Sequence, residues 1–72
     1  MNLEYAKFYR DEVADYDQAL AYAKKEYERR PENIDVNRIL ASIYYKKNDL
    51  AKAEEHYKKA ARTNGMQPEL LE

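Results

Sequence analysis

The side chains able to do chemistry are few in this chain, and their spacing works against it. There is one histidine, His56, no cysteine, and outside the tyrosines only two hydroxyl residues, Ser42 and Thr63. A zinc site needs three or four converging ligands. His56 instead lies in the stretch AEEHYKKA, with Lys52 and Lys59 a helical turn away on either side. Those cations oppose a metal, so His56 reads as the solvent-facing residue of a helix. A nucleophilic triad needs an imidazole beside its hydroxyl, and neither Ser42 nor Thr63 has a histidine at local spacing. Asp15 and Asp17 are spaced like the first ligands of a calcium loop, but the turn glycine and closing glutamate are missing from their places. Helix capping accounts for these aspartates better. No glycine-rich loop is available to cradle a phosphate, since the chain holds a single glycine. The expectation is a protein without catalytic, cofactor-binding or metal-ligating residues.

Composition narrows the class further. Seventy-two residues make one small domain. Thirteen basic and fourteen acidic side chains nearly cancel, which gives no electrostatic ground for a nucleic acid or an anionic membrane as partner. No apolar run approaches the roughly 20 residues that span a bilayer. The start MNLEYAKFYR lacks the apolar middle of a signal peptide. With no cysteine to suggest an oxidising compartment, a cytoplasmic location is favoured.

The elements that would position any site are helices. Ala, Leu, Glu, Lys, Arg and Tyr dominate, and the alternation of a strand is never sustained. Breaks fall where helices cannot continue or are readily started. Asp15 can cap a following helix. Pro31 lacks an N–H and clashes with the preceding turn. Asn48 tolerates the left-handed conformation that ends helices, and Asp49 can cap the next one. Gly65 and Pro68 mark a final stop and restart. The spacing predicts helices over 2–12, 15–30, 33–47 and 50–63, with PELLE as the beginning of a fifth. Short joints fold consecutive helices back antiparallel.

The chain also repeats itself. Tyr5, Ala6 and Tyr9 recur 35 residues later as Leu40, Ala41 and Tyr44. After the first turn the offset is 34, pairing Asp15 with Asp49, Ala19 with Ala53, and Pro31 with Gly65. One extra residue therefore sits in the first inter-helix turn, within DEVAD. In the second unit Ile39, Leu40, Ile43 and Tyr44 form one apolar helix face, and Leu50, Ala53, Tyr57 and Ala60 form the facing one. Small alanines allow a close crossing that Tyr57 fills. On this pattern Tyr5, Tyr9, Tyr44 and Tyr57 are expected in the core. Tyr16, Tyr22 and Tyr27 are expected between hairpins or half exposed. Tyr45 points about 100° away from the core face, where an aromatic can anchor a partner.

A period of this length, with Leu40, Ala41, Tyr44, Ala53, Tyr57 and Ala60 at their spacings, resembles the tetratricopeptide repeat family. Asn37 stands in place of that pattern's leading aromatic and Gly65 in place of its proline. The first unit matches through Tyr5, Ala6, Tyr9, Ala19 and Pro31, with Ala23 and Glu26 where the family has an aromatic and a small residue. The resemblance implies an all-α fold of two stacked antiparallel helix-turn-helix repeats, an α-α superhelix or solenoid. Repeat one would cover about 1–33, repeat two about 34–67, and a third would start at 68–72, as in a fragment of a longer repeat protein.

It further implies a non-catalytic scaffold that binds a protein or peptide along the concave face of each repeat's first helix. The register assigns that face to Leu3, Lys7 and Arg10, with Asp11 beside them, and to Arg38, Ser42, Tyr45 and Lys46. Four of these eight are basic and one acidic, so an acidic segment is the expected partner. A second reading is self-association, a homo-oligomer stacked through the C-terminal end, where Ala61, Met66, Leu70 and Leu71 need cover. A third is an RNA-binding helical-hairpin repeat, against which the neutral charge counts.

Overall fold

A computed structural model of the chain describes residues 2–64, and the side chains of residues 2–61. All regular structure among them is helical. Helix α1 (Asn2–Phe8) runs directly into a π turn (Tyr9–Val13), followed by α2 (Tyr16–Arg29), α3 (Ile34–Lys46) and α4 (Leu50–Asn64). The predicted spans hold to within a residue or so. The expected fifth helix and the residues 65–72 lie outside the described residues.

Each boundary has a local cause. Asp15 caps α2 by accepting from Gln18 N–H at 3.2 Å, and Asn33 caps α3 by accepting from Val36 N–H at 3.0 Å. Asp49 accepts more loosely, at 3.4 Å, from Lys52 N–H at the start of α4. Side-chain caps of this kind satisfy donors that the helix itself leaves open. Asn48 takes the left-handed conformation with φ 68°, and Ala14 takes it with φ 61°. These two residues are 34 apart, the same place in the two units.

The extra residue of the first unit is absorbed by the helix rather than by the loop. In the second hairpin Asp49 N–H donates to Tyr44 O at 2.8 Å. In the first, Asp15 N–H donates to Tyr9 O at 2.9 Å, closing over one more residue. Ala14 N–H reaches the same carbonyl. The inserted position thus widens the last turn of α1 into a π turn, and the chain leaves it in an equivalent geometry.

Helix α3 is the centre of the molecule. It packs against α2 on one side and α4 on the other, and carries the largest fully buried side chains, Leu40, Ile43 and Val36. Each such residue contributes about 1.5–3 kcal/mol when fully buried. Ala6, Ala19, Ala23, Ala41 and Ala53 are buried where helices cross, so their size sets how closely the backbones approach. The hairpins are further linked by an ion pair between Lys47 and Asp17, and by Lys59, which donates to Tyr27 Oη at 2.8 Å.

Four expectations about burial are corrected. Tyr57 and Leu50 do not fill the core, and Tyr5 is about half exposed. Tyr5 touches Tyr22 of its own hairpin with part of its ring, and the rest of it, like Tyr57, lies on a face that no described helix covers. His56 is not solvent-facing but buried. Its ring stacks on Tyr44, with centroids 5.6 Å apart and planes 9° from parallel, and meets Tyr27 edge-on at 5.4 Å. The first unit holds the equivalent stack between Tyr9 and Tyr22, at 5.6 Å and 7°. Position 56 is 34 residues after position 22. The imidazole therefore fills a ring position common to both hairpins.

Candidate functional site

The predicted face lies where α1 and α3 run side by side. Arg10, in the π turn, spans the two helices. Its guanidinium donates to Ser42 Oγ on α3 at 2.7 Å and grips Asp11 through two bonds of 2.7 and 2.8 Å. Ser42 in turn donates to Ile39 O at 2.8 Å. The Arg10 hydrogen bond is the main cause that holds the Asp11 carboxyl below its ordinary range; desolvation opposes it, and the charges of Arg10, Lys46 and Lys7 each add a lesser lowering effect. Asp11 also raises the Arg10 pKa, chiefly by that hydrogen bond. Arg10 alone grips that carboxylate, and Lys46 and Lys7 act on it only through their charge. Arg38 is exposed and has no ion-pair partner among the described residues.

Two clefts open on this side. One of about 490 Å³ lies between α3 and α4, lined by Arg10, Arg38 and Ser42 above an apolar floor of Ile39, Tyr57, Ala60 and Ala61. The other, about 400 Å³, lies between α1 and α3 and gathers Leu3, Lys7 and Arg38 with Glu4, Asp35 and Ile39. The structure therefore brings Arg10, Arg38 and Ser42 together, and Leu3, Lys7 and Arg38 together. Tyr45, 62% exposed, and Lys46, also exposed, line neither cleft. Leu3 is half-buried against the core.

Sequence reasoning missed Glu4 and Asp35. Each is three residues before a groove cation, Lys7 and Arg38 respectively, a spacing that places them on the same helix face. They make the charge uneven. The end near Arg10 and Lys46 is cationic, while the end near Glu4 and Asp35 is mixed.

A polar pair inside the second hairpin was missed as well. Asn37, fully buried, donates both amide hydrogens, to Pro31 O and Asn33 O at 2.9 Å each. Its Oδ1 can then only accept, so His56 Nδ1, 2.8 Å away, carries the proton. Burial, with the charges of Lys59 and Lys52, lowers the His56 pKa against an opposing effect of Glu55. Asn37 thereby ties the Pro31 joint to α3 and α4 at the place where the repeat pattern has an aromatic. Glu26 is a buried carboxylate. Burial works to raise its pKa, but hydrogen bonds from Asn2 and Arg30 and the charges of Arg30 and Arg29 bring it below the ordinary value. These polar groups are internal fasteners. No three metal-ligating side chains gather among the described residues, and no described helix is long and apolar enough to cross a membrane.

The geometry is that of stacked helical hairpins with a repeat step of 34–35 residues, and comparison with known families agrees. The tetratricopeptide repeat model matches residues 12–71, covering α2, α3 and α4. Neither a curated protein nor a solved structure matches the chain. With most of its length matched, and with the repeated turn and ring stack in both hairpins, the chain belongs to the tetratricopeptide repeat family.

Proposed function

We infer that the chain binds a protein segment along the face shared by α1 and α3, in a family whose repeats are generally non-catalytic scaffolds for protein–protein interaction. The observation that carries this reading is the cleft in which Arg10, Arg38 and Ser42 stand over an apolar floor. A ligand carboxylate entering the cleft lined by Arg10, Ser42 and Arg38 meets the exposed Arg38 guanidinium, which can donate charge-assisted hydrogen bonds, with Lys46 adding positive charge nearby on α3. Arg10 is committed to Asp11 and Ser42, so its role is to fix the two helices' relative position. The mixed end near Glu4 and Asp35 suits a neutral or basic residue of the ligand. The favoured partner is thus a segment acidic at one end only. On this reading the binding unit is repeated, with boundaries near residue 33 and residue 67.

The test is calorimetric titration of the 72-residue chain with acidic, neutral and basic peptides, then with the double variant Arg38→Glu and Lys46→Glu. Acidic peptides should bind best. The double reversal should weaken them on the order of tenfold or more, since about 1.4 kcal/mol is a factor of ten. Preference for basic peptides, or unchanged affinity in the folded variant, would reject the reading.

A further inference from the structure

The two ends of the stack carry faces that match each other, and the chain's own middle shows how such faces fit. There α3 seats on α2. Leu40 and Ile43 are 1% and 0% exposed, and Ala23 on α2 is 0% exposed. One unit earlier, Tyr5 and Phe8 hold the positions of Leu40 and Ile43, yet they are 52% and 50% exposed. One unit later, Tyr57 holds the position of Ala23 and is 50% exposed. Among the described residues, then, α1 is an α3-type helix with no preceding α2-type helix beneath it, and α4 is an α2-type helix with no following α3-type helix above it.

We propose that these faces bind each other between copies: α1 of one chain seats on α4 of the next, continuing the α2–α3 interface from chain to chain. The chemistry of the two faces agrees. The apolar floor beside α4, built from Ile39, Tyr57, Ala60 and Ala61, borders an open cleft. The opposing ridge is aromatic and braced, with Tyr5 against Tyr22 at 5.2 Å and Phe8 against Tyr9 at 5.5 Å. The ion pair between Lys47 and Asp17 in the internal interface maps onto Val13 and Ala51, so an apolar contact replaces that pair. Val13 and Ala51 are both exposed and available for it. The contact joins unlike surfaces, so it does not close on itself, and chains add head to tail.

Sedimentation velocity of the full chain over micromolar to millimolar concentration tests this. The wild-type sedimentation coefficient should rise without reaching a plateau. Phe8→Glu blocks the head and Tyr57→Glu the tail, both at half-exposed positions. Each variant alone should stay monomeric with its helical circular dichroism retained. Their equimolar mixture should form dimers and nothing larger, because one intact head meets one intact tail. If either variant unfolds, Tyr5→Lys and Ala61→Arg block the same two faces. A wild type that stays monomeric throughout, variants that still self-associate, or a mixture that gives no dimer overturns the proposal. So does association that appears only when residues 65–72 are removed, since the chain's own end would then be the occupant of α4.

Discussion

Replacing Asn37 by Ala should be among the most damaging single changes in this chain, and its cost can be worked from the contacts. Three hydrogen bonds are lost. Asn33 O keeps the Asn37 backbone N–H at 3.1 Å, and the exposed Pro31 joint lets water serve the other carbonyl. The loss without replacement falls on His56 Nδ1–H, which stays buried between Tyr44 and Tyr27 with no acceptor. Stranding a buried donor costs about 1–3 kcal/mol, and the vacated amide volume adds roughly 1 kcal/mol. A total of about 2–4 kcal/mol is a large share of the stability of so small a domain, and corresponds to a melting point lower by on the order of 15 °C. Acid should act through the same pair. The His56 pKa is lowered on folding, so the unfolded chain binds more protons near neutrality. Its contribution is therefore complete above the unfolded value of about 6.5 and is lost as pH falls from there toward the folded value. Asn37→Asp places a carboxylate against the ring, favours the imidazolium, and should reverse that slope. Thermal melts followed by circular dichroism at several pH values between 5 and 8 read both effects. An Asn37→Ala melting point within a degree or two of wild type, or the same pH slope in wild type and Asn37→Asp, would refute the reasoning.

Four other substitutions probe the backbone and the helix crossings. Ala53→Leu overpacks a buried crossing and should cost about 1–3 kcal/mol, whereas Ala51→Leu on the exposed side of α4 should be nearly silent. Equal losses in chemical denaturation would show the faces of α4 to be misassigned. Ala14→Gly removes the steric cost of a left-handed alanine and should raise stability by about 1 kcal/mol. Asn48→Gly should gain less, because asparagine already tolerates that conformation.

What the sequence made legible was whatever a residue type decides by itself. Pro31 cannot continue a helix, Asn48 and Asp49 end one and start another, and Asp15 caps. The structure follows all four. The 35-to-34 change of offset announced an extra residue, but offsets alone do not say whether loop or helix takes it up. Periodicity marks which face of a helix is apolar and not whether anything lies across from it, which is why Tyr5 and Tyr57 were expected inside. His56 was misread from its flanking lysines. The 34-residue step pairs it with Tyr22, so its place in a ring stack was available, although its full burial was not. On the candidate face, the register could gather Arg10 and Ser42 on one side. Their 2.7 Å contact, and the presence of Glu4 and Asp35 in the same cleft, depend on how closely α1 and α3 pack.

The π turn has a consequence for how such chains vary. A residue inserted into a loop leaves the helices' faces unchanged, but one inserted into a helix turns everything beyond it by about 100°. Arg10 and Asp11 lie inside that widened turn, and Arg10 there points at α3. Removing one residue between Tyr9 and Ala14 would keep the hairpin's closing bond in the form it has after Tyr44, yet rotate the arginine relative to Ser42. A single-residue change of length is thus enough to re-aim a charged side chain while the scaffold stays as it is. The family match begins at residue 12, inside the turn.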